Sequence, residues 1–260
     1  MNRYDTALVC KAQGGPERHS EVARRAPAAN RKAANKASIG NSLLGALPHA
    51  VYRRLLAAGL APVVLKFGEV LHEPEVPIPY VYFPIDCVIS LLASVHGHLA
   101  LKVGLVGHEG MVGSPLALGN YASPRRAVVQ GTGTAMRMAS APFRKQILQS
   151  KPLQKVMYRW VHALIGQMSQ SAVCNQFHAL QGRLALYLSM IGERASSREI
   201  HLTHEFLARA LGARRVGVTV AANTLQKHNL IKCSRGKITI LDRKRLGAAA
   251  CHCYAIIKRI

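Results

Sequence analysis

Acidic side chains are scarce: twelve Asp and Glu stand against thirty-five Lys and Arg in 260 residues, a formal charge of +23. That balance is unlike an average cytosolic enzyme's and suits a chain that meets a polyanion, nucleic acid first of all. Long apolar runs are missing too. The longest charge-free window, residues 160–182, contains four Gln, one Asn and two His, and nothing approaches the roughly 18 consecutive apolar residues of a membrane span. No membrane partner is expected. The six cysteines follow no framework spacing and no signal peptide opens the chain, so a reducing cytoplasm is the expected compartment. Catalytic motifs are also wanting: there is no nucleophile elbow, Walker loop or His-Glu-x-x-His. The only carboxylates of residues 41–150 are the unclustered Glu69, Glu73, Glu75, Asp86 and Glu109. No catalytic residue is assigned, and an enzyme is not expected.

What is present is distributed unevenly. Residues 1–40 carry a net +5, residues 41–150 +4 and residues 151–260 +14, so the polyanion should meet the C-terminal part. Residues 1–40 hold few large apolar side chains and read as a disordered basic tail. A transit peptide is the competing reading, and Asp5, Glu17 and Glu21 count against it. From Asn41 a short amphipathic helix runs past Leu44 and Pro48 to Leu56. Short β runs follow at Val63–Phe67, Tyr80–Phe83, Val88–Leu92, Leu99–Val106, Ala127–Gln130 and Ala135–Met138, with a hairpin turn at His96-Gly97-His98. Strands at such intervals predict a sandwich, jelly roll or small barrel over residues 41–150.

Beyond Pro152 the period changes to about 3.6. Leu153, Met157, Val161, Leu164 and Met168 step along one stripe of a continuous helix over 151–177. Spacing alone favours an ordinary core helix over one that pairs with its own copy. A second helix spans Leu180–Glu193 and ends near the Ser196-Ser197 loop.

Residues 203–225 have the pattern of a helix-turn-helix: small Ala208 where two helices press together, Gly212 at the turn, and Leu207, Leu211, Val218, Ala221 and Leu225 on a shared inner face. Thr203 is a natural N-cap. The second helix then starts near Arg214 and turns Arg214, Arg215, Val216, Thr219 and Val220 outward. There Arg can pair with guanine O6 and N7, and Val can touch a thymine methyl. After Lys227-His228-Asn229, two strands flank Ser234-Arg235-Gly236. This is a wing that brings Arg235 and Lys237 to the phosphate backbone.

With these features in place the chain resembles the Crp/Fnr family of bacterial transcription regulators from about Asn41 to Leu246. The resemblance is carried by Phe67-Gly68-Glu69, Tyr82-Phe83-Pro84, Gly107 to Gly113, Leu202 to Ala208 with Gly212, Arg215 and Val218, and the wing ending Gly236 to Ile240. It implies an α+β architecture: a jelly-roll effector domain at 41–150, a dimerisation helix at 151–177, a winged helix-turn-helix at 178–246 and a C-terminal tail at 247–260. It also implies a homodimer joined through Leu153, Met157, Val161, Leu164 and Met168 that binds double-stranded DNA at an inverted repeat, with RNA polymerase as a further partner. Of the three base-reading positions of the cyclic-AMP receptor only the first is kept, as Arg215. The other two are Val216 and Val220, so a different operator is expected.

The effector site implied by the resemblance comprises Glu109, Ser123, Arg125 and Arg126. His108 precedes Glu109, and neither Ser nor Thr follows the arginines of Ser123-Pro124-Arg125-Arg126-Ala127, so cyclic AMP is not expected as ligand. The cofactor is left unknown. An unidentified small molecule in this pocket and a pocket decayed into core are equally open. Only Cys10 lies near the N-terminus, which argues against an iron–sulfur cluster. His96-x-His98 reads as polar turn chemistry, Cys251-His252-Cys253 lacks the remaining ligands and spacing of a zinc site, and no metal is assigned. The alternative function is non-specific nucleic-acid binding driven by charge.

Overall fold

The computed structural model describes residues 39–93, 101–195 and 199–260. The expected basic tail (but for residues 39 and 40), the His96-Gly97-His98 turn and the Ser196-Ser197 loop lie outside the described residues.

Two short helices, α1 (Ser42–Gly45) and α2 (His49–Ala57), open the described chain. Asn41 caps α1 by accepting from the N–H groups of Leu43 and Leu44, and its amide donates to the carbonyls of Pro84 and Gly110. One buried side chain thus satisfies orphan donors of the helix and fixes it to the β structure. The strands that follow are β1 (Ala61–Leu65), β2 (Val70–His72), β3 (Tyr80–Pro84), β4 (Val88–Ala93), β5 (Leu101–Val106), β6 (Arg126–Gly131) and β7 (Gly133–Ala139). They form two antiparallel sheets, ordered β1-β7-β3 and β2-β6-β4-β5. The expected β runs are present, and β2 is an addition.

Leu65, Phe83, Ile89, Val106 and Met138 fill the space between these sheets. Helix α3 (Ser140–Leu148) adds Phe143, whose ring meets Phe83 edge-on at 6.0 Å between centroids, a geometry that suits aromatic quadrupoles. Helix α4 (Lys151–Phe177) follows, 27 residues and so about 40 Å long. Ser150 caps it by accepting from Leu153 N–H.

The inward face of α4 is formed by Leu153, Met157, Trp160, Leu164, Gln167, Ser171 and Cys174, at intervals that alternate four and three. Of the five residues expected to join two copies, Leu153, Met157 and Leu164 instead pack into the core of their own chain, while Val161 and Met168 are half-buried. The registers differ because Trp160 and Gln167 take the inward places that an all-aliphatic stripe gave to Val161 and Met168. Trp160 Nε1 donates to the Met111 carbonyl at 3.0 Å. Gln167 Oε1 accepts from Leu105 N–H at 2.6 Å, which gives edge strand β5 a partner from the helix.

Helix α5 (Leu180–Arg194) starts the second unit, with β8 (Glu199–His201), α6 (His204–Leu211), α7 (Arg215–Lys227), β9 (Ile231–Ser234) and β10 (Lys237–Ile240). The three strands form one antiparallel sheet in the order β8-β10-β9. Two further helices, α8 (Arg243–Ala249) and α9 (Cys253–Ile257), close the chain. The expected tail after Leu246 is therefore structured in part: Cys253 and Ile257 are buried in the second core, and Glu193 on α5 accepts from both Tyr254 Oη and Lys258 Nζ at 2.6 Å. That core contains Tyr187, Leu207, Val218, Leu225 and Ile238, and it also takes in Val88 and Leu105 from the β-roll. Among the described residues no helix is long and apolar enough to cross a membrane.

Candidate nucleic-acid interface

The helix-turn-helix forms where the sequence placed it. Thr203 Oγ1 accepts from Phe206 N–H at 3.1 Å and caps α6. Gly212 ends α6 with φ +58°, a left-handed conformation that costs a β-branched or bulky residue dearly. Leu207, Leu211, Val218, Ala221 and Leu225 are all buried on the shared inner face, and Ala208 with them.

The opposite face of α7 is open. Arg214 occupies the N-cap position without a side-chain capping bond, and Arg215 opens the helix; both are exposed. Val216 is 75% exposed and Val220 61% exposed. Two valines one turn apart in water, beside two exposed arginines, form a surface that gains by covering. Thr219 sits between them; its hydroxyl donates to the Arg215 carbonyl at 3.1 Å and lies 3.0 Å from His204 Nδ1.

That His204 contact joins the start of α6 to the middle of α7, a link that sequence patterning missed because it rests on two polar residues fifteen positions apart. The wing closes on the same place. Its turn bends at Gly236, with φ +76°, where an added β-carbon would lie 3.8 Å from Thr203 Cγ2. Thr203, the wing turn and the exposed edge of α7 are therefore contiguous. Arg235 stands exposed at the turn, whereas Lys237 Nζ is 3.5 Å from Glu199 Oε2 on β8. Half of this site's intended phosphate grip is thus shared with a carboxylate that sequence reasoning left unassigned.

The four expected effector residues have separate partners. Glu109 accepts from Arg194 Nε at 2.7 Å and from Gly107 N–H at 3.2 Å, at the seam with α5 rather than beside the arginines. Ser123 is buried and accepts from Arg125 N–H at 3.1 Å, and Arg126 pairs with Glu73 at 2.9 Å. Arg125 alone lines a cavity of about 680 Å³ against α4, whose other walls include Glu75, Tyr121, Leu164, Ile165 and Met168. His72, on β2 near this loop, is held down to about 4, first by burial and then by the Arg125 cation.

A second polar concentration lies where α4 ends. Cys174 and His178 meet Cys251 and Cys253, and all four ligand atoms lie within 4.8 Å of one another. The Cys-His-Cys segment therefore does have further candidate ligands: Cys174, 77 residues before Cys251, and His178, 75 residues before Cys253. Next to this cluster Lys102 is buried, with its ammonium 5.2 Å over the Tyr187 ring. Burial pushes its pKa down to about 8, and the Cys174 thiol acts in the opposite direction.

A β-roll joined by a long helix to two helices, a turn and a three-stranded wing is a winged helix-turn-helix architecture. Residues 182–249 match the family described as the Crp-like helix-turn-helix domain. No curated protein matches the chain by sequence. Among solved structures, a protein of Eubacterium rectale assigned to the Crp/Fnr regulator family is 18% identical with a TM-score of 0.63, covering 81% of this chain and 98% of that one. TTHA1359, a Crp/Fnr-family transcriptional regulator of Thermus thermophilus, is 24% identical with a TM-score of 0.56, over 73% of this chain and 97% of its own. CLP of Xanthomonas campestris, described as a c-di-GMP-responsive global regulator, is 14% identical with a TM-score of 0.59, over 75% and 100%. The chain has the Crp/Fnr fold and carries a Crp-like helix-turn-helix domain.

Proposed function

We propose that this protein is a sequence-specific transcription regulator that binds an inverted-repeat operator as a homodimer. The observation that carries the reading is the exposed face of α7, where Arg214, Arg215, Val216 and Val220 are uncovered among the described residues while every inner-face residue is buried. Arg215 reads guanine through paired donors, and the valines fit thymine methyl groups. Thr203, Arg235 and, once freed from Glu199, Lys237 hold the backbone.

Dimerisation falls to the outward face of α4. Tyr158, Ile165, Val173 and Phe177 are exposed there, with Val161 and Met168 at its margin, so this face replaces the inward one as the contact with a second copy. A two-fold axis along α4 puts the recognition helices about one DNA turn, roughly 34 Å, apart. Cyclic AMP is not the signal, since Glu109, Ser123 and Arg126 are each engaged within the chain. A different small molecule fits the cavity beside Arg125. RNA polymerase is the further partner when the operator lies upstream of a promoter.

Selection of duplexes from a random pool at about 150 mM salt, where non-specific phosphate binding is weakened, tests this reading. An enriched inverted repeat that the Arg214→Ala/Arg215→Ala variant fails to recover is the expected result. Equal recovery by that variant, or uniform retention of all duplexes, would favour charge-driven non-specific binding.

A further inference from the structure

The Cys174, His178, Cys251 and Cys253 cluster has a donor set, a geometry and a setting that point to one occupant. Cys174 lies in the last turn of α4, and His178 is its C-cap, whose N–H donates to the Cys174 carbonyl at 3.1 Å and so keeps the two residues together where the helix ends. Cys251 lies in the segment between α8 and α9, and Cys253 is the first residue of α9. That segment is pressed against the start of α5: Cys251 N–H donates to the Gly182 carbonyl at 3.2 Å, and a β-carbon on Gly182 would lie 3.3 Å from Cys251 Cβ. The backbone therefore delivers the ligands to one point.

The spacing is compact enough for a single ion, since all four ligand atoms lie within 4.8 Å of one another. A tetrahedral zinc with bonds of about 2.0 to 2.3 Å holds its ligand atoms about 3.5 to 3.8 Å apart. Here Cys174 Sγ and Cys251 Sγ are 3.4 Å apart, and Cys253 Sγ and His178 Nδ1 are 3.2 Å apart. A multi-iron cluster, bound through its outer edges, would hold the thiolates wider. Three sulfurs and one imidazole also form a soft donor set, which calcium and magnesium do not favour. Outside the four ligands, Gln170 Nε2 donates to Cys253 Sγ at 3.0 Å, the kind of outer contact that fixes a thiolate in place.

We propose that Cys174, His178, Cys251 and Cys253 bind one zinc ion, which fastens the end of the long helix to the C-terminal segment beneath the DNA-reading unit. All four protein ligands are supplied, so the site is closed and structural rather than catalytic. Its location gives the metal a specific task. The chain leaves α4 at Phe177 and enters the helix-turn-helix unit at Leu180, so an ion at His178 stiffens the joint that sets the recognition helix relative to α4. The assignment does not depend on the DNA-binding reading.

The test is a cobalt titration of the full-length protein, reduced and freed of metal by chelation. The expected result is uptake of one Co²⁺ per chain, with the strong visible and near-ultraviolet absorption of a tetrahedral thiolate site that zinc then bleaches. Cys251→Ser and Cys253→Ser should weaken uptake at least a hundredfold. Cys87→Ser, in the β-roll core, should leave it unchanged. His178→Cys keeps four ligands and should retain binding with a shifted spectrum, which guards against loss by misfolding. Absence of the tetrahedral spectrum in reduced protein that is folded by circular dichroism would overturn the proposal. So would a spectrum indifferent to Cys251 and Cys253, or a Cys174–Cys251 disulfide that persists under reductant and shuts the metal out.

Discussion

Arg194 Nε donates to Glu109 Oε1 at 2.7 Å across the seam between the β-roll and the winged-helix unit. Arg194 is the last residue of α5, and its Nη1 also donates to the Met190 carbonyl at 3.0 Å, so the guanidinium is oriented before it meets the carboxylate. The stem of Arg194 lies over Gly107, where a β-carbon would stand 2.5 Å from its Cγ. Position 107 thus admits the contact by having no side chain.

Glu109→Gln should weaken that seam without emptying it. Hydrogen bonds to charged groups contribute about 1.5 to 3 kcal/mol when buried, and partial exposure of Glu109 trims this to roughly 1 kcal/mol. Urea unfolding of the variant reads the loss. Gly107→Ala, which displaces the arginine sterically, should cost more.

Gly110→Ala should be severe for its size, because the six-membered ring of Trp160 occupies the space that a β-carbon would need. Overpacking of this kind costs about 1 to 3 kcal/mol. Trp160 is the only tryptophan in the chain, so its emission reports the site directly and should shift to the red as the indole loses its buried position.

Stability should fall as the pH drops below neutrality, because His72 is held neutral in the folded state and takes up a proton on unfolding. With its pKa moved from 6.5 to about 4, the unfolded chain binds more protons throughout that window. The contribution is complete above about 6.5, declines on acidification and is gone below about 4. Its full size is on the order of 3 kcal/mol. Thermal melts between pH 4 and 7 should show a steeper slope for the parent than for His72→Leu.

Glu199→Gln should tighten binding to every duplex. Freed from the carboxylate 3.5 Å away, Lys237 gains a phosphate, and each added contact steepens the dependence of log K on log salt by about 0.9. Arg235→Ala should flatten the slope by a similar amount. Arg215→Ala should instead cost about 1 to 3 kcal/mol on the operator alone. Fluorescence anisotropy over a salt series separates these effects.

The helix-turn-helix was legible in the sequence because its determinants are local: Thr203, Ala208, Gly212 and the inner-face apolar residues fall within 23 positions. The β-roll was legible as a succession of short apolar strands. Strand β2 escaped because three residues, Val70 to His72, are too few for alternation to register. Strand β8 escaped because Glu199-Ile200-His201 is mostly polar and takes its structure from pairing with β10. The inward register of α4 was misjudged at Val161 and Met168, since patterning by aliphatic residues passes over a glutamine whose amide serves Leu105. The cysteine–histidine cluster is non-local: its halves lie on either side of the whole winged helix, and only the folded chain brings them together.

Strand β5 belongs to two interiors at once. Val106 and, across from it, Ile89 face the β-roll core, whereas Leu105 and Val88 belong to the core of the winged-helix unit. The two-residue repeat of a strand assigns neighbouring side chains to opposite sides, and here the sides are different compartments. Such a strand behaves as a rocker: any displacement that tightens one compartment opens the other, and packed interiors resist both. A ligand that shifts β5 by a fraction of an ångström would therefore press on the turn at Gly212, where an added β-carbon would stand 2.9 Å from Leu101 Cδ1 on the same strand.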